Sequence, residues 1–340
     1  MGADVSEPVR VGIVGCGAIS GAYLQFSRSF PILQIVACAD IDSEKARARA
    51  EEFEVRRVCS VDEILRDPGI QIVLNLTVPR AHAEISLLAL KSGKHVYSEK
   101  PLGITTDEGK SILASAREKK LRVGCAPDTF MGVGIQTARK LIDDGAVGRP
   151  VAFTAFMMCP GHEHWHPNPQ FFYETGGGPM FDMGPYYLTA LLNFFGPIRR
   201  INGAASIAIA ERRTLAGAKI AVQTPDHICG TIEFGNGVIG TIVTSFATRF
   251  PQYDTAQPIT IYGTEGTLKV PDPNQFDGAV HLRRKDDPEF QLIPPSFPIG
   301  YGRSIGLADM AYAIRSGRPH RANAEQAYAV LEAMEAFLES

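Results

Sequence analysis

The stretch VGIVGCGAISGAY, residues 11 to 23, narrows the choice of folds more than any other. A β-branched run ends on a glycine, a second glycine follows two residues later, and an amphipathic pattern begins at once. This is how a buried strand turns sharply into a helix. Gly15 suits the tight turn, and Gly17 lets the backbone approach a bound pyrophosphate. Ala18 and Ile19 open the helix whose first N–H groups would face that anion. Ser20 stands where the third glycine of the G-x-G-x-x-G pattern is usual, with Gly21 next.

The same rhythm continues. VRVGIVG (9–15), QIVACAD (34–40), IQIVLNLT (70–77), KHVYSEK (94–100) and LRVGCAP (121–127) read as strands, with helical segments between them. That alternation predicts βαβ units and a parallel, doubly wound sheet. Ser43 is a candidate cap for the helix after the second strand, and Thr106 precedes an acidic first turn. QIVACAD ends on Asp40, about twenty residues beyond the glycine loop. A carboxylate there can accept both hydroxyls of an adenosine ribose and would repel a 2′-phosphate. Ile41 supplies no cation for such a phosphate, so NAD is expected over NADP.

Beyond residue 150 the period changes to two, with glycine turns in FGNGV and YGTEG, and a mostly antiparallel sheet is expected. Helices return at 134–144, 181–195, 303–316 and 323–338. The predicted architecture is α/β. Residues 8–127 form a Rossmann dinucleotide-binding domain, and residues 128–340 form a C-terminal α+β substrate and oligomerisation domain with an open sheet.

A net charge of −3 gives no basic field for nucleic acid or an anionic membrane. No apolar run reaches the roughly 18 residues of a membrane span, and MGADVSEP lacks a signal-peptide pattern. A cytoplasmic chain is expected. The six cysteines are scattered singly, mostly in apolar stretches, which suits reduced thiols.

LTVPRAH (76–82), GKHVYSEKPL (93–102), GGGPMFDMGPYY (176–187) and the closing DMAYAIRSGRPHRA together resemble the Gfo/Idh/MocA family of glucose-fructose oxidoreductase and inositol dehydrogenases. The resemblance covers nearly the whole chain in order. It implies an NAD(P)-dependent dehydrogenase acting on CH–OH groups of a sugar, cyclitol or related polyol, and a homodimer or homotetramer. In E-K-P (Glu99, Lys100, Pro101), Lys100 would donate to the substrate hydroxyl and favour alkoxide-like charge, and the bond to Pro101 is often cis. Thr77 and Pro79 would line the nicotinamide side, with Glu99 and Lys100 also at the cofactor. His82 fits either a cofactor contact or a ring hydrogen-bonded to backbone.

The family pattern G-G-G-x-x-x-D-x-G-x-H-x-x-D here reads Gly176, Gly177, Gly178, Asp182, Gly184, Tyr186 and Thr189. On one helix Asp182 and Tyr186 would share a face. Tyr186 occupies the position of the family's base, yet a phenol ordinarily titrates near 10, high for a base at neutral pH. Either Lys100 stabilises its phenolate, making Lys100, Asp182 and Tyr186 the catalytic set, or another residue is the base and Tyr186 only binds. CPGHEHWHPNP supplies His162, His164, Trp165 and His166 as candidate substrate contacts. On a strand the three histidines would share one face, but Pro160 and Pro167 favour a loop and no metal is expected. Asp128 is a further substrate-binding candidate. Two other functions remain open: an NAD-dependent glycosidase working by transient oxidation, and a non-catalytic NAD-binding regulator.

Overall fold

A computed structural model describes residues 7–250 and 253–339. The chain forms two compact units. One runs up to Asp128 and takes in Tyr301–Leu331, and the other comprises Thr129–Gly300 and the chain from Glu332 onward. The expected contiguous division at 127/128 is therefore corrected, because residues near 322 return to the first sheet. Cys125 donates its N–H to the carbonyl of Ala322, and Gly124 bridges Asn323.

The first unit begins β1 (Val9–Val14), α1 (Ala18–Ser27), β2 (Leu33–Ala39), α2 (Ser43–Phe53) and α3 (Val61–Arg66). It continues β3 (Ile72–Asn75), α4 (Pro79–Lys91), β4 (His95–Ser98), α5 (Thr106–Lys119) and β5 (Val123–Cys125). The strands pair in parallel in the order β2-β1-β3-β4-β5. Val11, Ile13, Ile72 and Leu74 are wholly buried, as continuous apolar runs require when helices cover both faces of a parallel sheet. The cap expected at Ser43 shifts by one residue, and the helix after β4 is capped from just before Thr106. Asp42, not Ser43, accepts the N–H of Glu44, and Thr105, not Thr106, accepts that of Glu108. In each case the capping side chain sits on the last extended residue, where its oxygen can reach a free first-turn N–H.

The second unit has α6 (Val133–Asp143), β6 (Pro150–Met158), α7 (Gly178–Asp182), α8 (Gly184–Phe195) and β7 (Ile198–Ser206). The short pair β8 (Glu211–Arg213) and β9 (Lys219–Ala221) precedes β10 (His227–Phe234) and β11 (Ile239–Ser245). The sheet is completed by β12 (Ile259–Gly263), β13 (Gly266–Val270), β14 (Val280–Arg284) and β15 (Gln291–Ile293). The eight-stranded order is β15-β14-β13-β12-β6-β11-β10-β7, antiparallel except where β6 and β11 run together. Of the two closing helices, α9 (Ile305–Ser316) joins the first unit and α10 (Ala324–Glu339) divides between the two. The single helix expected over 181–195 is broken at Met183, which ends α7 and begins α8. Pro185 explains the break, since it has no N–H to continue the ladder and its ring is accommodated only in a first turn.

Candidate active site

At the glycine loop, each residue is held by its neighbours in space. Gly15 has φ +102°, and a Cβ there would lie 2.5 Å from the Leu76 carbonyl carbon and oxygen. Only glycine fits. A Cβ on Gly17 would meet nothing within 4 Å, and Gly17 and Ala18 are exposed while Ile19 is half-buried. No side chain caps α1, so its first N–H groups, which have no partner inside a helix, face an open approach. These residues fit a dinucleotide pyrophosphate.

Asp40 is tied to that loop directly. Its carboxylate accepts the N–H of Cys16 at 2.7 Å and that of Asp42 at 2.9 Å, which fixes its orientation at the end of β2. Ile41 beside it is fully exposed. Ser20 is wholly buried, donates to the Gly17 carbonyl at 2.6 Å and accepts from Arg49 Nε at 3.1 Å. Arg49 also pairs with Glu52. Nothing in the glycine spacing points to Arg49, which reaches the loop from α2.

The E-K-P segment is equally built. Glu99 is 6% exposed and accepts from the hydroxyl of Tyr23 at 2.8 Å and from the N–H of Lys100 at 3.0 Å. Its carboxylate therefore shapes the loop that carries Lys100. Lys100 is half-buried, and its bond to Pro101 is cis. Thr77 donates its hydroxyl to Asn75 at 2.7 Å, and Pro79 opens α4. His82 is 1% exposed, with Nδ1 2.7 Å from the Pro101 carbonyl and Nε2 2.9 Å from that of Thr77. Burial pushes its imidazole below the ordinary value, so the neutral ring donates to one carbonyl at a time. This is the backbone-bonded of the two readings, and it ties the Thr77 loop to the E-K-P loop.

Asp128 is wholly buried. It accepts the N–H of Gly306 at 3.0 Å and lies 3.7 Å from Arg303. Burial pushes its carboxyl up to about 6 in spite of these partners. A carboxylate so enclosed anchors the first turn of α9.

In the second unit, His162 Nε2 stands 3.2 Å from Asp182 Oδ2, their side chains 13% and 19% exposed. The histidine loop is a turn, not a strand: the His162 carbonyl accepts the N–H groups of Trp165 and His166. His162, His164 and His166 therefore do not share a strand face. Trp165, Phe172 and Phe246 surround the His162 ring at centroid distances of 5.3, 4.3 and 4.5 Å. His164 and Trp165 are exposed, and His166 accepts the Asn168 N–H at 3.1 Å.

Beneath this loop lies a buried network that sequence spacing did not disclose. Arg212, 4% exposed, donates to the Pro160 carbonyl at 2.9 Å and to that of Phe246 at 2.7 Å. It also pairs with Glu163 at 2.9 Å and Asp226 at 2.8 Å. Tyr173 lies under the guanidinium at 4.8 Å, accepts the His162 N–H at 3.0 Å and donates to Glu163. Burial tends to raise Glu163, but its bonds to Tyr173 and Arg212 outweigh this and hold it below the usual range. Gly161 adopts φ +98°, and a Cβ there would strike Arg212, Glu163 and the Tyr173 hydroxyl, each at 2.5 Å, so only glycine fits. Tyr186 is 6% exposed in the first turn of α8.

Comparison with known proteins agrees with both units. Residues 9–126 match the oxidoreductase family with an NAD-binding Rossmann fold, and residues 135–269 match the GFO/IDH/MocA C-terminal domain. The chain belongs to the GFO/IDH/MocA family. Among its relatives is the 1,5-anhydro-D-fructose reductase of Ensifer adhaerens, 27% identical over 263 residues, covering 76% of this chain and 74% of that protein. Another is the levoglucosan dehydrogenase of Pseudarthrobacter phenanthrenivorans, 27% identical over 293 residues, covering 77% and 73%. The fold matches a levoglucosan dehydrogenase solved in complex with NADH and levoglucosan, with TM-score 0.85, 24% identity, and 98% and 97% coverage.

Proposed function

We propose that this chain is an NAD-dependent oxidoreductase that moves a hydride between the nicotinamide cofactor and a hydroxyl carbon of a sugar, cyclitol or related polyol. The observation that carries the reading is the open glycine loop, joined to Asp40 by the Cys16 N–H. A 2′-phosphate would meet the Asp40 carboxylate, while Ile41 offers no cation and Arg49 is engaged by Ser20, Glu52 and the Gly17 carbonyl. This favours NAD over NADP. The substrate class rests on relatives named as a sugar reductase and a sugar dehydrogenase. Those names favour net hydride transfer over the glycosidase and the non-catalytic readings.

The residues divide by role. Bound nicotinamide supplies the hydride acceptor or donor. Lys100 donates a hydrogen bond to the reacting oxygen and favours the charge that develops there as C–H breaks. Asp182 orients the acid/base chemistry, and Tyr186 contacts substrate. His164, Trp165 and His166 contact the rest of the polyol from their loop.

Steady NADH formation with free sugars and cyclitols tests the reading. Lys100→Met should lower kcat/KM by two or more orders of magnitude, the scale of a lost transition-state donor, while NADH binding survives. Cofactor-dependent release of an aglycone without NADH accumulation would favour the glycosidase.

A further inference from the structure

The family pattern gives the base to a position that Tyr186 holds here, and the geometry offers a different group. We propose that His162 is the catalytic acid/base, held by Asp182 through Nε2 and exchanging the substrate's hydroxyl proton at Nδ1. The inference rests on the oxidoreductase reading above and adds to it the proton carrier.

Three observations converge. The first is the 3.2 Å contact between His162 Nε2 and Asp182 Oδ2, which assigns Nε2 as the protonated nitrogen of the neutral ring. A carboxylate acceptor fixes the tautomer in this way and leaves the other nitrogen as the base. The second is that Nδ1 makes no hydrogen bond among the described residues. The third is preorganisation: the Tyr173 hydroxyl holds the His162 N–H, Arg212 clamps Pro160 and Glu163 on either side, and aromatic rings fix the imidazole plane. An ordinary imidazole also titrates near neutrality, as a general base should, whereas an ordinary phenol does not.

In oxidation the substrate's C–H bond breaks, its electron pair leaving as hydride to the nicotinamide. The O–H bond breaks with its proton passing to His162 Nδ1, and a C=O bond forms. In reduction the same proton returns to the carbonyl oxygen. Asp182 is the carboxylate in contact with the ring, while Glu163 and Asp226 both pair with Arg212.

Two readouts on the full chain test the assignment. In NMR of isotope-labelled histidine nitrogens, the neutral ring of His162 should carry its proton on Nε2. Asp182→Leu should remove that preference and mix the two neutral tautomers, and Asp182→Glu should restore part of it. A proton on Nδ1, or a tautomer unmoved by Asp182→Leu, overturns the dyad whether or not any polyol is turned over. In kinetics, His162→Gln should cut kcat by roughly 10²- to 10⁴-fold, abolish the acidic limb of the pH profile and leave NADH affinity within twofold. Tyr186→Phe should cost less. If polyols are oxidised and His162→Gln keeps near-wild-type kcat, the oxidoreductase reading stands and this one falls. If the dyad appears by NMR while no polyol is oxidised, the error lies in the substrate class.

Discussion

At the glycine loop the functional groups lie within one strand-turn-helix and the strand that follows, from Gly15 to Asp40. At the histidine loop, the groups that position His162 come from Pro160, Tyr173, Asp182, Arg212, Asp226 and Phe246. The first site is made by backbone: a positive-φ glycine, an uncapped helix start, and a carboxylate accepting main-chain N–H groups. The second is made by side chains brought together over long stretches of sequence around a buried guanidinium. A backbone site depends on which residues can be small, and a side-chain site depends on whether buried charges stay paired.

That contrast can be broken most severely at Arg212. Arg212→Met leaves Asp226 wholly buried and Glu163 mostly buried without their cation. It should cost about 3–5 kcal/mol of unfolding free energy, measured by urea denaturation, and lower kcat in whatever protein remains folded. NADH affinity should hold.

The glycines sharpen the comparison from the other side. Gly15→Ala forces a Cβ against the Leu76 carbonyl at φ +102° and should lower the melting temperature and NADH affinity together. Gly17→Val introduces a side chain into open space, so thermal stability should change little while the Kd for NADH rises at least about tenfold, as a blocked pyrophosphate approach requires. A Gly17→Val chain that binds NADH normally would remove the pyrophosphate from this loop. A smaller effect is expected at Asp40: Asp40→Ser should shift the NAD-to-NADP preference in kcat/KM toward NADP by about tenfold, the scale of one removed repulsive contact.

A further effect concerns pH. Burial raises Asp128 to about 6, against about 3.9 in an unfolded chain. Between those values the folded chain holds a proton that the unfolded chain has released, so this group lowers stability as pH rises from about 4 to about 6. Comparing Asp128→Asn with wild type by denaturant melts across that range should show the dependence reduced by at most about 3 kcal/mol.

How far the sequence discloses such sites follows from the same contrast. The five-strand sheet and the Gly15 turn were legible because periodicity and short spacing carry them. The roles proposed for Gly17, Asp40 and Lys100 rest on the same spacing and on E-K-P. The break at Met183 was not anticipated, although Pro185 announces it, because the apolar pattern runs across the kink. The bonds of Asp128 to Gly306 and of Glu99 to Tyr23 were not legible, because a carboxylate beside a strand end looks the same in sequence whatever it faces. Arg212 carries no local signal at all. Its partners are set by the fold of the second unit.

The central claim, hydride transfer from a hydroxyl carbon to the nicotinamide, is tested most directly by isotope transfer. The chain is incubated with NAD and sugars or cyclitols deuterated at carbon, and the reduced cofactor is analysed by mass spectrometry. Each reduced nicotinamide should carry one deuterium, delivered directly from carbon. Substrate turnover that leaves no deuterium in the cofactor, or cofactor that binds with none of the polyols reducing it, would contradict it.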